Sequence, residues 1–268
     1  EARVDWAVTE KNMHQQVPAL IEKGIVLTQG FIGGTSENFT TTLGREGSDF
    51  TAAIFSTCLN AASMTVWKDV PGILSADPKL FKNVTKIDRL SFQEAIEMTY
   101  YGAKVIHPKT IKPLQNKSIP LFVKSFVDPS GDGTQISGQP EVFYPPVVVV
   151  EKAQMLIHIS SKDFSFIAEE HLSMIFAKLA EARLKVNMMQ NSAISFSVCV
   201  DHKPRRVVNF LDSISNVIEV RKDGNLELLT VRHYKEEVIQ ELKKGKIVLL
   251  EERIRNTVQL VVKDIPRI

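Results

Sequence analysis

The stretch TTTLGREGSD (residues 40–49) combines flexible backbone with a cation and a carboxylate. Its two glycines let the backbone approach a ligand closely, and Arg45 offers a planar guanidinium that suits a carboxylate or a phosphate. Ser48 and Asp49 stand where helix N-caps belong, just before a predicted apolar helix. The pattern indicates a loop that binds an anion. A capped loop with a surface arginine is the simpler alternative.

Several further segments add groups that suit phosphate. QGFIGG (29–34) follows a predicted strand and exposes backbone amides to an anion. Lys68 and Asp69 stand at the end of another predicted strand, the edge at which open α/β sheets bind ligands. Lys79 and Lys104 follow a tight turn and a helix. Each lysine alone is typical of a solvated surface, but several cations that converge with two aspartates suit phosphoryl transfer, which depends mostly on positioning and charge neutralisation.

The sequence excludes several other kinds of site. It has no Cys and His spacing typical of a metal site and no Ser-His-Asp arrangement. GGTSEN (33–38) lacks the lysine that completes a phosphate loop, so it is not a Walker motif. We therefore expect no dedicated metal site, and a Mg²⁺ ion would be carried by nucleotide phosphates.

The composition is that of a globular protein. Hydrophobic residues make up 44% and charged residues 24% of the 268 residues, as in soluble domains. A formal net charge of +2 does not indicate a basic surface for binding nucleic acid or a membrane. No apolar run approaches the roughly 18 residues of a membrane span. Cys58 and Cys199 lie in apolar runs, as reduced core residues of a cytosolic protein do. We expect a cytoplasmic protein with no nucleic-acid or membrane partner.

Strands and helices alternate over the first half of the chain. This alternation predicts an α/β structure with an open, largely parallel sheet and helices on both faces. Ser91 with Glu94 forms a capping box that predicts a helix start. The loop-like stretch 128–140 predicts a domain boundary, with one domain over 1–138 and another over 139–268.

The second domain contains an internal repeat. A β-α-β-β-α-β pattern over about 152–223 precedes a shorter α+β copy over 224–268, which lacks its last helix and strand. The strand PVVVV (146–150) stands apart from both copies. We predict that it fills the gap in the second copy and ties the two copies into one body.

Four motifs resemble the aspartate kinase (aspartokinase) family of the amino acid kinase superfamily. They are TQGFIG, TTTLGREGSD, WKDVPGILSADP and EMTYYGAKVIHP, in the family's order and spacing over about 24–138. The repeat resembles the paired ACT domains that regulate these enzymes. The resemblance implies a partial amino acid kinase fold and the reaction ATP + L-aspartate → ADP + 4-phospho-L-aspartate. This is the committed step towards lysine, threonine, methionine and isoleucine.

The resemblance also implies roles for individual residues. Arg45 would hold a carboxylate of aspartate beside Ser48 and Gly33, and Asp49 would organise the active site. The nucleotide, ATP with Mg²⁺ on its phosphates, would meet Lys68, Asp69, Leu74, Lys79 and Lys104.

ACT pairs in the family bind an end-product amino acid between copies, often across a homodimer. The resemblance assigns the effector contacts to the segment VNMMQNSAISFSV, with KDFSF (162–166) facing it. Ala193 replaces an acidic residue common in lysine-sensing members, so lysine and threonine both stay open as effectors. The candidate contacts are Asn187, Gln190, Asn191 and Ser192, for which ordinary polar alternation in an edge strand is the alternative.

One departure from the family is large. The lysine-bearing K-F-G-G-[TS] loop and a substrate-positioning glutamate of the N-terminal lobe do not occur in this sequence. Since one charge-stabilising donor is worth roughly 10²–10³ in rate, we expect this polypeptide alone to be inactive. Two alternatives remain: another amino acid kinase, acting on glutamate or a nucleoside monophosphate, and a non-catalytic amino-acid sensor or regulatory subunit.

Overall fold

The computed structural model describes residues 3–103, 106–139, 143–161, 169–214 and 218–265. The chain divides into two compact units, Glu1–Pro145 and Pro146–Ile268. This division falls later than the boundary predicted after residue 138, because Tyr144 still belongs to the first unit: its hydroxyl accepts a hydrogen bond from the backbone N–H of Ser91 (3.1 Å). No helix in the described ranges is both long and apolar enough to cross a membrane.

The first unit is a mixed α/β structure, as predicted. Its elements are α1 (Trp6–Gln16), α2 (Pro18–Ile21), β1 (Ile32–Gly34), β2 (Thr40–Thr42), α3 (Gly47–Cys58), β3 (Met64–Lys68), β4 (Ile73–Leu74), β5 (Lys86–Ile87), β6 (Arg89–Ser91), α4 (Phe92–Tyr100), α5 (Pro108–Asn116), β7 (Leu121–Ser125) and β8 (Thr134–Ser137). The main sheet has the order β3-β7-β8-β6. Its β3–β7 and β6–β8 pairs are parallel, whereas β7 and β8 are antiparallel.

The helices α3, α4 and α5 pack together against this sheet. Side chains of β7 alternate between the two faces of the sheet, and Leu121 and Val123 on the helix-covered face are completely buried. Ile136 of β8 packs beside apolar residues of α4 and α5 on the same face. Phe122 and Lys124 point to the opposite face and line a cavity of about 850 Å³ to which no described helix contributes. The helices α3, α4 and α5 therefore cover one face of this sheet, and the cavity lies on the other face.

The second unit is built around one antiparallel sheet of six strands. Its strands are β9 (Val147–Ser161), β10 (Val186–Asn191), β11 (Ser195–Asp201), β12 (Ile218–Arg232), β13 (Lys246–Ile254) and β14 (Thr257–Asp264). Its helices are α6 (Glu169–Glu181), α7 (Pro204–Ile214) and α8 (Glu236–Lys243). The order of the strands in the sheet is β10-β11-β9-β12-β14-β13.

The strands β9 and β12 each serve both copies of the repeat. The later part of β9 pairs with β11 and with the start of β12, which completes the first copy. Val147–Val150 pairs with 229–232 of β12, so PVVVV takes the place predicted for it in the second copy. Ala153 and Asn225 have positive φ (54° and 57°), and the ladder between β9 and β12 shifts register at Asn225.

Three apolar clusters hold this sheet together. One lies between the first copy's strands and α6 and α7, around Ile157, Phe196 and Phe210. Another lies between the second copy's strands and α8, around Val231 and Leu260. The third joins residues of both copies on strand positions that point away from the helices, namely Leu156, Met188, Cys199, Leu226, Leu228, Leu250 and Val261. Because this cluster crosses from one copy to the other, the two copies share one core.

Candidate functional site

The two glycine-bearing loops of the first unit are held against each other. Strands β1 and β2 pair Gly33 with Thr41, and the backbone N–H of Leu43 donates to the carbonyl of Phe31 (2.8 Å). A Cβ atom on Gly47 would lie 2.7 Å from the ring of Phe31, and one on Gly30 would lie 3.0 Å from Cα of Ser48. The close approach of the loops therefore leaves no room for a Cβ atom at Gly47 without a shift of Phe31, and little room for one at Gly30.

The helix α3 begins differently from the sequence prediction. Its N-cap is Glu46, in a left-handed conformation (φ 55°) and without a side-chain cap, so neither Ser48 nor Asp49 caps the helix. Both lie instead in its first turn, where the positive end of the helix dipole favours a carboxylate. The hydroxyl of Thr51 accepts from the backbone N–H of Phe31 (3.0 Å) and donates to the carbonyl of Gly47 (3.0 Å), which fastens the helix start to the first loop.

An ion pair joins this helix start to the end of strand β3. The ammonium of Lys68 lies 2.8 Å from Oδ2 of Asp49. The two side chains are 28% and 16% exposed, so the pair is only partly screened by water. The structure thus brings together two residues that the sequence placed in separate motifs.

Lys68 stands at the carboxyl edge of a parallel strand pair. Strand β3 runs parallel to β7, with Lys68 opposite Ser125, and the carbonyl of Lys68 accepts from the N–H of Phe126 (2.7 Å). The edge beyond the carboxyl ends of parallel strands is where open α/β sheets bind ligands. Asp69, the next residue, is exposed at this edge.

The remaining nucleotide candidates lie in the segment that follows. Leu74 is half-buried in β4, and Lys79 is exposed after a turn in which its N–H donates to the carboxylate of Asp77 (2.8 Å). Lys104 lies outside the described residues.

Thr134 fixes this segment and was not singled out by the sequence analysis. Its fully buried hydroxyl accepts from the N–H of Ile73 (2.8 Å) and donates to the carbonyl of Ile87 (2.6 Å). Those two residues are register partners in the β4–β5 pair, so the hydroxyl bridges the two strands. A Cβ on Gly72 would lie 2.5 Å from this oxygen. A threonine in a loop-like stretch carries no sequence signal for such a role.

The substrate candidates have mixed exposure. Arg45 is on the surface, with its side chain 73% exposed and its Nε 3.9 Å from Glu46, a distance at which an exposed pair contributes little. Ser48 is exposed, and Gly33 is half-buried in the hairpin. A guanidinium and a helix start therefore face solvent beside the Asp49–Lys68 pair.

The effector candidates divide into one buried and three exposed residues. Asn187 is buried, and its amide NH₂ donates to Gln154 and to Asp201 (2.9 Å each). Gln190 and Asn191 are exposed on the edge strand β10. Ser192 follows that strand, and its hydroxyl lies 2.7 Å from that of Ser195. The KDFSF segment, residues 162–166, lies outside the described residues.

The carboxylate of Asp201 is the charged member of the buried group. Burial opposes its ionisation, but hydrogen bonds from Asn187, Lys203 and Gln154 outweigh that effect and lower its pKa below the ordinary value. The side-chain amide oxygen Oδ1 of Asn187 is buried without a hydrogen-bond partner in the described structure. The described residues contain no group of three or more His, Cys, Asp or Glu side chains that could hold a metal ion.

Comparisons with known proteins agree with this architecture. Residues 3–125 match the amino acid kinase family. Lysine-sensitive aspartokinase 3 of Escherichia coli (strain K12) is 38% identical over 202 residues, which are 73% of this chain and 43% of that protein. A chloroplastic bifunctional aspartokinase/homoserine dehydrogenase 1 of Zea mays is 41% identical over 136 residues, which are 51% of this chain and 15% of that protein.

Solved structures of aspartokinases are also similar to this chain. E. coli aspartokinase III in complex with aspartate and ADP has a TM-score of 0.80 at 28% identity and covers 98% of this chain. The chain covers 62% of that structure. An aspartate kinase of Clostridium acetobutylicum has a TM-score of 0.80 at 20% identity. The match covers 97% of this chain and 64% of that chain. At this identity it supports the fold alone. Residues 3–125 are therefore similar to the amino acid kinase family, and the chain as a whole is similar to part of an aspartokinase.

Proposed function

We propose that this chain forms the nucleotide-side part of the catalytic domain and the regulatory ACT pair of an aspartate kinase. The reaction is the transfer of the γ-phosphoryl group of ATP to the side-chain carboxylate of L-aspartate, which gives 4-phospho-L-aspartate and ADP. The observation that carries the proposal is the Asp49–Lys68 pair (2.8 Å), which joins the GREGSD loop to the carboxyl edge of β3.

Charge and exposure support the roles that the family resemblance implies for these residues. Arg45 binds a carboxylate of aspartate through its exposed guanidinium, with Ser48 and Gly33 beside it and Asp49 organising the site. Lys68, Asp69 and Leu74 line the nucleotide site at the strand edge, and Lys79 and Lys104 add positive charge for the phosphates. Mg²⁺ arrives with the nucleotide as part of the substrate.

The chemistry needs positioning and charge neutralisation more than covalent participation by the protein. Phosphoryl transfer brings a carboxylate oxygen close to a polyphosphate, and both groups are anionic. A guanidinium on one side and an ammonium on the other offset that repulsion and orient the two substrates. The pair between Asp49 and Lys68 fixes the ammonium close to the loop that carries the guanidinium.

The second unit supplies the regulation in this proposal. Its two copies share β9, β12 and one apolar cluster, so a ligand that orders one copy also acts on the other. The effector is an end-product amino acid, lysine or threonine, bound near Asn187, Gln190, Asn191 and Ser192, and the protein acts as a cytoplasmic homodimer through its ACT domains. A coupling energy of about 1–3 kcal/mol is ordinary for such feedback.

Calorimetric titration of the chain with MgADP, MgGDP and MgCMP tests the nucleotide assignment. We expect saturable binding of MgADP that is selective over the other two nucleotides. A coupled assay for ADP release with aspartate, glutamate and a nucleoside monophosphate then tests the reaction. We expect ADP release that depends on aspartate, and not on the other two acceptors, when the chain is assayed together with a separately produced aspartokinase N-terminal lobe.

The outcomes separate the alternatives. Equal or absent binding of all nucleotides would contradict a kinase site and favour a non-catalytic sensor. ADP release that responds to glutamate or to a nucleoside monophosphate rather than to aspartate would assign the chain to another amino acid kinase.

A further inference from the structure

The first unit holds a second cavity, between the helices α1, α3 and α5. Its volume is about 650 Å³, within the range of small-molecule sites. None of the described residues assigned above to the substrate, the nucleotide or the effector lines this cavity. Its own walls therefore determine what it can bind.

The walls of the cavity are mostly apolar and include two aromatic rings. Trp6 of α1 and Phe50 of α3 meet edge to face, with their ring centroids 6.5 Å apart. Pro108 and Pro113 of α5 add apolar surface to the same lining. Trp6 is 39% exposed and Phe50 is half-buried, so a flat ring in the cavity would cover apolar surface that now meets water. Removal of such surface from water drives binding, and aromatic rings favour another ring at this contact.

The charged groups of the lining are mainly cations. Lys109 and Lys112 are three positions apart on α5 and therefore share one face of that helix, and Lys117 follows the end of the helix. Among the described residues that line the cavity, Glu10 of α1 is the one acidic side chain. The excess of positive charge favours an anionic ligand over a neutral or a cationic one.

The positive and negative charges are not evenly placed along the cavity. Burial raises the pKa of the Cys58 thiol, Glu10 raises it further and Lys117 opposes the shift. Both charges therefore lie near Cys58, the last residue of α3. Lys117 also donates a hydrogen bond to the amide oxygen of Asn60 (3.0 Å). At this end of the cavity the ammonium group already has a partner and a carboxylate close by.

Lys112 is the cation with donors left for a ligand. Its side chain is exposed and makes no hydrogen bond or ion pair with any other residue in the described ranges. A lysine ammonium carries three N–H donors and no acceptor, and its long stem lets the charge follow a ligand at the rim. A carboxylate at the mouth of the cavity would therefore find an ammonium that has no competing partner among those residues.

We propose that this cavity binds an aromatic carboxylate, with its ring against Trp6 and Phe50 and its carboxylate at Lys112. The site is separate from the nucleotide edge of β3 and from the effector segment of the second unit, so it adds a third ligand to the chain. A neutral aromatic molecule loses the contact with the ammonium, and a small carboxylate loses the contact with the rings. Both should therefore bind more weakly than the complete ligand.

Calorimetric titration of the whole chain with three probes separates the two contributions. The probe 3-phenylpropionate carries ring and charge, 3-phenylpropionamide carries the ring alone, and acetate carries the charge alone. We expect 3-phenylpropionate to bind with a Kd of about 0.1–1 mM, an ordinary affinity for a ligand of its size. The amide should bind about twofold to fivefold more weakly, the range of an exposed ion pair, and acetate should not saturate. Saturating MgADP should leave the Kd of 3-phenylpropionate unchanged.

Two substitutions locate the site, each with a matched control. Lys112→Met should abolish the preference for the acid and leave the affinity for the amide unchanged. Trp6→Ala should weaken both probes about threefold to tenfold. Lys82 and Phe39 are exposed residues of the same unit that do not line the cavity, so Lys82→Met and Phe39→Ala should leave both affinities within a factor of about two. Circular dichroism and Tm establish that each variant folds.

Four results would overturn this site. They are no saturable binding of 3-phenylpropionate, equal affinities for the acid and the amide, an undiminished preference for the acid in Lys112→Met, and displacement of the acid by MgADP. The last result would place the acid in the nucleotide site. Self-association of the chain that Trp6→Ala abolishes, measured by sedimentation velocity, would instead assign this face to a second copy of the chain and would also contradict the proposal.

Discussion

The hydroxyl of Thr134 gives the sharpest test of how the site segment is held in place. Replacing Thr134 with Val keeps the shape of the side chain and removes the hydroxyl, which at present bridges the N–H of Ile73 and the carbonyl of Ile87. Because the residue is fully buried, water cannot replace the lost group. The substitution therefore leaves a backbone donor and a backbone acceptor unpaired at the β4–β5 pair.

The expected loss of stability follows from that count. Each buried polar group left without a partner costs about 1–3 kcal/mol, so the loss of both partners in Thr134→Val should lower the free energy of unfolding of the first unit by about 2–6 kcal/mol. The apolar volume is nearly unchanged, so packing contributes little. Thr134→Ser keeps the hydroxyl and loses one methyl group, which should cost about 1 kcal/mol.

Urea unfolding followed by tryptophan fluorescence measures this difference. Trp6 and Trp67 both belong to the first unit, so the signal reports that unit. Because β4 carries Leu74, MgADP affinity should also fall in Thr134→Val and persist in Thr134→Ser. A Val variant as stable as the Ser variant would refute the bridging role of the hydroxyl.

Three further predictions concern other parts of the molecule. Gly47→Ala places a Cβ 2.7 Å from the Phe31 ring and should destabilise the first unit by about 1–3 kcal/mol in the same urea assay, whereas Gly34→Ala meets no atom within 4 Å and should change stability far less. Asp201 has a lowered pKa, so its contribution to stability is present above the unfolded pKa and is lost as pH falls through the folded one. When Tm is measured against pH, the decrease in Tm below about pH 4 should therefore be smaller for Asp201→Asn than for the unchanged chain. Parallel curves of Tm against pH for the two proteins would contradict this prediction. Burial, together with the negative charges of Glu151 and Asp201, raises the pKa of the Cys199 thiol to about 12. A thiol reagent at pH 8 should therefore not modify Cys199 in the folded chain and should modify it in urea. Rapid labelling of Cys199 in the folded chain, located by mass spectrometry, would contradict this prediction.

Local signals in the sequence determined much of the fold. Ser91 caps α4, with its hydroxyl accepting from the N–H of Glu94 (3.0 Å), as the capping box predicts. The alternation of apolar residues located the strands of the second unit, and the repeat identified the place of Val147–Val150. These features depend on spacing within one element or on comparison of two similar segments.

Features set by distant contacts could not be predicted in the same way. Glu46 adopts a left-handed conformation at the start of α3, and nothing in a glutamate signals that geometry. Asp49 and Lys68 are 19 positions apart, and their contact depends on how α3 packs against β3. The bridging hydroxyl of Thr134 depends on two strands whose contacting residues, Ile87 and Ile73, are 47 and 61 positions away.

A crystal structure of this chain soaked with MgADP tests the central claim most directly. The account predicts phosphate oxygens within hydrogen-bonding distance of the Lys68 ammonium, with the Asp49–Lys68 pair intact at the carboxyl edge of β3. A nucleotide bound elsewhere in the first unit, with Lys68 still facing solvent, would contradict the account.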